Sequence, residues 1–117
     1  MAMSETYMAI EPPREDIDAL PGAAVLEFGA PWCGYCMRAQ APIASAFARH
    51  ERVRHIKVED GSGRPLGRSF RIKLWPTLVF LRDGKEVARL VRPTEAEDIE
   101  KAMRQIDRNA GDEAAAA

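Results

Sequence analysis

The sequence predicts an α/β domain built on a central mixed β-sheet of four to five strands, with helices on both of its faces. Three observations carry this. Apolar strand-like runs alternate with stretches of helical period, which calls for parallel strands joined by crossover helices. The dipeptide Asp83-Gly84 then separates two further strand-like runs, a strong short-range hairpin signal. A final amphipathic segment supplies a last helix to cover the sheet.

Residues 7–10 (YMAI) read as a short edge strand. A short helix follows Pro13, with Ile17 and Leu20 on one side, and Pro21-Gly22 ends it. Residues 23–30 (AAVLEFGA) are almost wholly apolar and read as a buried strand, interrupted by one acid, Glu27. From 34 to 50 the pattern is helical, because Ala39, Ile43 and Phe47 recur at a spacing of four on one face. Pro42 sits inside that helix, where it removes the hydrogen bond to the Arg38 carbonyl and should bend the axis.

Residues 53–59 (VRHIKVE) form the next strand, and 61–67 (GSGRPLG) a loop that opens a short helix ending near Phe70. Residues 77–81 (TLVFL) and 85–91 (KEVARLV) are the antiparallel partners of the hairpin. Thr94 and Glu97 make a capping box for the last helix, whose core face carries Ile99, Met103 and Ile106. The whole reads as a single domain over 1–109, with a tail at 110–117 (AGDEAAAA) that has too little apolar bulk to be held.

A chain of 117 residues with 46% apolar side chains is long enough for one core without a disulfide framework. The net charge of −1 argues against nucleic acid as the main partner, since phosphate binding needs a basic excess. No apolar run is long enough to cross a membrane. The first residues lack a basic segment followed by an apolar one, so they do not read as a secretion signal. The expectation is a soluble cytoplasmic monomer, or a periplasmic one where a signal has been removed.

Cys33 and Cys36 are the two cysteines of the chain, within APWCGYCMRAQAP. Three chemistries compete for them. With His50 and His55 they satisfy a literal zinc-site spacing. However, a helix from 34 to 50 rises about 1.5 Å per residue and would carry His50 roughly 25 Å from Cys33, far outside one coordination sphere. No metal is therefore expected, and both histidines read as ordinary surface residues. A structural staple is the second possibility, but closing a loop of about four residues is worth only about 2 kcal/mol.

The redox reading explains more. Cys33 falls where an apolar strand meets a helix, so its thiolate faces unpaired backbone N–H groups and the positive helix end. Cys36 falls one turn later and is more shielded. Cys33 is then the attacking sulfur and Cys36 the resolving one.

These residues, together with Trp75-Pro76-Thr77 about forty positions on and the Asp83-Gly84 hairpin, resemble the thioredoxin superfamily across roughly residues 6–108. The resemblance implies the thioredoxin fold and a thiol-disulfide oxidoreductase that reduces or exchanges disulfides in client proteins. It implies no bound cofactor, and an external electron donor such as a flavoprotein reductase or glutathione. Trp32 would flank the nucleophile. Pro76 would be the cis-proline beside the cysteines, presenting the backbone before it to an extended substrate. Gly34, Tyr35, Trp75 and Thr77 would complete the substrate-binding surface. Glu27 stands six residues before Cys33, where the family commonly has a buried aspartate, and would accept the proton of Cys36. Lys57 is a candidate to pair with it from the neighbouring strand.

This chain also departs from the family pattern. The Gly34-Tyr35 spacer resembles that of some disulfide isomerases, so a potential less reducing than thioredoxin is expected, on a scale from about −270 to about −180 mV. Trp75 replaces a small or β-branched residue. Pro42 lies one residue late, and Arg92-Pro93 stands where the family often has a glycine. The alternative readings are a binding module or adaptor of the same fold without turnover, and an isomerase or oxidase. Elsewhere, Gly61, Gly63 and Gly67 do not match a dinucleotide-binding spacing, and the cluster Arg64, Arg68, Arg71 and Lys73 reads as a solvated basic face.

Overall fold

The structure, a computed structural model, describes residues 3–108. The expected boundary at 109 and the tail at 110–117 lie outside them. The elements run α1 (Arg14–Asp18), β1 (Ala23–Gly29), α2 (Gly34–Phe47), β2 (Arg54–Glu59), α3 (Pro65–Ser69), β3 (Thr77–Arg82), β4 (Lys85–Val91) and α4 (Ala96–Ile106).

The four strands lie in the order β2-β1-β3-β4. β2 runs parallel to β1, as the crossover through α2 demands, and β3 and β4 continue antiparallel. The sheet is thus mixed, with β1 and β3 at its centre. Both central strands are buried on two faces, which is why their sequences are apolar runs rather than alternations.

On one face Val25, Leu78 and Phe80 pack against Ala39, Ile43 and Phe47 of α2 and Ile99, Met103 and Ile106 of α4. On the other, Leu26, Phe28, Val79 and Leu81 pack against Ile17, Leu66 and Phe70 around α1 and α3. Each large side chain so buried contributes roughly 1.5–3 kcal/mol, and the two layers clamp the C-terminal end of β1 where the cysteines begin.

The hairpin forms as expected. Asp83 and Gly84 have φ of 51° and 79°, the pair of left-handed residues a type I′ turn requires. The Asp83 carboxylate also accepts the Gly22 backbone N–H at 2.7 Å.

Four expectations change. Residues 7–10 contribute one bridge, Met8 to Val58, rather than a strand. Their apolar side chains are not buried against the sheet (Ile10 is 83% exposed), so nothing extends the ladder. The central helix ends at Phe47 rather than His50, and tighter turn bonds from Arg49 and His50 close it. It continues through Pro42. The Thr94–Glu97 capping box does not form: Glu95 is extended and becomes the N-cap, shifting the helix start one residue past the box register. Finally, His50 and His55 are buried, not surface residues. His50 Nδ1 bonds the Asp107 carboxylate at 2.7 Å, tying the end of α2 to the end of α4.

Candidate active site

β1 ends at Gly29, and Cys33 N-caps α2 after a short turn in which its N–H donates to the Ala30 carbonyl at 3.2 Å. Its extended backbone aims Sγ back at the first turn, where it accepts the Cys36 N–H at 3.2 Å. This sulfur therefore occupies the place an N-cap oxygen usually fills, at the positive end of a fourteen-residue helix. Both cysteines are free thiols. Cys33 retains 8% exposure and Cys36 only 1%, which makes Cys33 the sulfur that can be approached. Burial, reinforced by the neighbouring Cys33 sulfur, pushes the Cys36 thiol up to about 11.

The surroundings of Cys36 are built by residues distant in sequence. The Tyr7 hydroxyl lies beside its sulfur, both of them against Gly29. Burial and then the negative charge at Cys36 and Glu27 hold the Tyr7 phenol well above the ordinary tyrosine range, so it acts as a donor. Gly29 makes this approach possible, since a Cβ there would lie 2.6 Å from Cys36 Sγ and 2.9 Å from the Tyr7 oxygen. The Lys57 ammonium sits 4.6 Å from the centre of the Tyr7 ring.

Glu27 is fully buried on the α2 face of β1. Its Oε1 faces His55 Nε2 at 2.9 Å, and its Oε2 accepts from Gln40 Nε2 at 2.9 Å. The same Gln40 amide nitrogen donates to the Cys36 carbonyl at 2.8 Å, linking the carboxylate to the helix turn that carries the resolving cysteine. Lys57 is opposite Glu27 in the β1–β2 register, yet its ammonium donates to Gln40 Oε1 at 2.9 Å and to the Glu5 carbonyl at 3.3 Å. The expected Lys57–Glu27 pair is thus relayed through Gln40. A cavity of about 510 Å³ opens beside this network, lined by Tyr7, Cys36, Gln40, Lys57 and others. Among the described residues no cluster of three or more histidine, cysteine or acidic side chains could hold a metal ion.

The opposite wall is the segment before β3. The Trp75–Pro76 peptide is cis, and Thr77 Oγ1 donates to the Leu74 carbonyl at 2.6 Å. Trp75 packs against Ala30, Cys33 and Cys36, meets Trp32 edge-on at 5.5 Å, and donates Nε1–H to the Asp60 carboxylate at 2.9 Å. Gly67 leaves the room this carboxylate needs, because any Cβ there would overlap it. Around the dithiol, Trp32 (71%), Tyr35 (50%) and Leu74 (47%) present apolar surface to solvent. Arg92 completes the wall: its N–H donates to the Pro76 carbonyl at 2.8 Å and its Nε to the Trp75 carbonyl at 2.9 Å. It does so at φ 51°, a left-handed conformation that costs a bulky residue on the order of 1 kcal/mol or more.

The residues singled out from sequence, Glu27, Trp32, Cys33, Gly34, Tyr35, Cys36, Trp75, Pro76 and Thr77, lie on β1, around the start of α2 or around the start of β3, which meet at one end of the sheet. Tyr7, Gln40, His55 and Asp60 were not among them. His55 and Lys57 share one face of β2, but Arg54 and Glu59 make the segment look polar throughout, so neither they nor Tyr7 and Gln40 carry a clear signal in the sequence.

A dithiol at a helix N-terminus, backed by a buried carboxylate and flanked by a cis-proline, is a thioredoxin-type site. The thioredoxin family model matches residues 14–105, and the chain belongs to that family. Thioredoxin 2 from Pseudomonas aeruginosa superposes with a TM-score of 0.79 at 52% identity, over 88% of this chain and 95% of that one. Among curated sequences, the TPR repeat-containing thioredoxin TDX of Arabidopsis thaliana is 41% identical over 57% of this chain and 18% of its own length. Protein disulfide-isomerase A2 of Pongo abelii is 34% identical over 81% of this chain and 22% of its own. The chain thus spans about a fifth of the length of those two curated relatives. Among the described residues no helix is long and apolar enough to cross a membrane.

Proposed function

We propose that this domain reduces disulfides in client proteins. The observation that carries the reading is the asymmetry of the dithiol, with Cys33 accessible at the helix N-terminus and Cys36 buried behind it. The Cys33 thiolate attacks one sulfur of the client disulfide, and the other leaves as a thiolate that takes a proton from water. Cys36 then loses its proton towards the buried carboxylate of Glu27 and attacks the Cys33 sulfur. The Cys33–client bond breaks, the client sulfur leaves as a thiolate that takes a proton from water, and Cys33–Cys36 is left as a disulfide, two electrons having passed to the client.

Trp32, Gly34, Tyr35, Trp75, Pro76 and Thr77 form the surface on which an extended client segment docks. A flavoprotein reductase or glutathione returns the two electrons, and no resident cofactor takes part. The reading places the protein in a reducing compartment, the cytoplasm, as a monomer. Insulin reduction with dithiothreitol tests it. Precipitation of the insulin B chain, abolished by Cys33→Ser, is expected; no activity in the parent protein would leave a non-catalytic binding module. Cys36→Ser should trap clients as mixed disulfides on Cys33 and so identify them.

A further inference from the structure

Two guanidinium groups converge on the side chain between the cysteines. Arg38 lies with Cζ 4.8 Å from the Tyr35 ring centre, and Arg92 with Cζ 3.9 Å from it. Together with Ala39, Pro93 and Thr94 they line a hollow of about 220 Å³. Arg14, Arg49, Arg64, Arg82, Arg89 and Arg104 each have a carboxylate within ion-pair distance. Among the described residues neither Arg38 nor Arg92 does.

Arg92 is also tied to the site by its backbone. It bonds the carbonyls of Trp75 and Pro76 beside the dithiol, in a left-handed conformation that glycine would adopt without strain. Strain of this kind persists where the surrounding structure over-determines it, and it clusters at functional sites. Here it brings a cation to the rim of the dithiol. Arginine presents planar donors that match a carboxylate, and the Tyr35 ring keeps both groups oriented without neutralising them.

Resting on the reductase reading, we infer that Arg38, Tyr35 and Arg92 form an anion subsite that selects client segments carrying an acidic side chain next to the target disulfide. The charges lie at an exposed rim, so the selectivity is modest: about fivefold, which is about 1 kcal/mol, and sensitive to salt.

The experiment uses two disulfide-linked peptides that differ only in having Glu or Gln flanking the half-cystines. The second-order rate constant for oxidation of the pre-reduced protein is measured with each. The Glu peptide should react about fivefold faster, and the ratio should fall towards one in about 0.5 M sodium chloride. Arg38→Gln, on the exposed face of α2, and Arg92→Gly, which relieves the left-handed backbone, should each lower it. Arg38→Glu should bring it below one. Equal rate constants in the parent protein, or a ratio that survives all three substitutions, would overturn the subsite while leaving the reductase reading intact. If neither peptide oxidises the protein, the reductase reading fails and the subsite with it.

Discussion

His55 Nε2 and Glu27 Oε1 lie 2.9 Å apart, with neither side chain reached by solvent. The other ring nitrogen of His55 accepts the backbone N–H of Ser4 at 2.8 Å, so the ring proton resides on Nε2 and is donated to the carboxylate. The N-terminal arm, β2 and β1 are thereby joined through one imidazole. Phe47 of α2 stacks on that imidazole at 4.6 Å. Replacing His55 by Phe keeps the stack but turns an apolar ring edge towards a buried carboxylate oxygen. The loss of a hydrogen bond to a charged group is expected to cost about 2–3 kcal/mol, read from urea unfolding of the reduced protein. A change within about 0.5 kcal/mol would show that the carboxylate finds another partner.

Glu27→Gln tests whether that carboxylate serves chemistry as well as structure. The amide is nearly isosteric and a poor proton acceptor, but only its oxygen can accept, so its NH2 group meets the donor of either His55 or Gln40, and the urea midpoint is read beside the rate to separate that cost from lost chemistry. A buried general base is worth about a hundredfold or more, and relay through the cavity lowers this, so at least a tenfold loss in the resolution of the mixed disulfide is expected near neutral pH. Rapid-quench separation of the mixed disulfide from the oxidised product would measure it. Alkylation of Cys33 by iodoacetamide should be little changed. An unaltered resolution rate would leave Glu27 a structural residue.

The contrast between Glu27 and its partners shows what the sequence could carry. Strand periods, the Asp83-Gly84 turn and the apolar helix stripes are local, and they placed every major element. The dithiol and Trp75-Pro76 are short motifs, so they were legible too. Tyr7, Gln40 and His55 converge on Cys36 and Glu27 across separations that only the β1–β2 register and the docking of the N-terminal arm determine. A histidine in a polar-looking strand segment reads as exposed until α2 is known to cover it. The capping box failed for a related reason: several acidic residues near the start of α4 offered competing registers, and backbone geometry chose the one without a side-chain cap.

The raised thiol of Cys36 makes the reduced protein sensitive to alkali. Its pKa moves from the ordinary 9.0 to about 11 in the fold, so between those values the unfolded chain has lost a proton that the folded one keeps. Fewer protons bound in the unfolded state means stability falls as pH rises. The contribution is therefore complete below about pH 9 and is lost as pH climbs through about 11. Tyr7 is displaced in the same direction and adds to the slope. Urea midpoints of the reduced protein should drop between about pH 8.5 and about pH 10.5. Cys36→Ala should flatten the profile, and an equally steep profile in that variant would assign the slope to other groups.

Tyr7→Phe removes the hydroxyl that lies beside the resolving sulfur. Donation from this hydroxyl favours the Cys36 thiolate, opposing the burial that disfavours it. Removing it should therefore leave Cys36 harder to ionise, while Cys33, capped by a backbone N–H, keeps its approach to the client. The expected signature is a split: the first attack unchanged within about twofold, and resolution slowed about tenfold, the value of roughly 1.4 kcal/mol for a hydrogen bond to developing charge. Mixed disulfide should accumulate transiently on Cys33, visible by mass spectrometry after acid quench. Lost anchoring of the N-terminal arm alone would instead lower the unfolding midpoint without separating the two steps, because Lys57 and the Met8–Val58 bridge still hold the neighbouring backbone. Equal slowing of both steps would likewise reduce Tyr7 to an anchor.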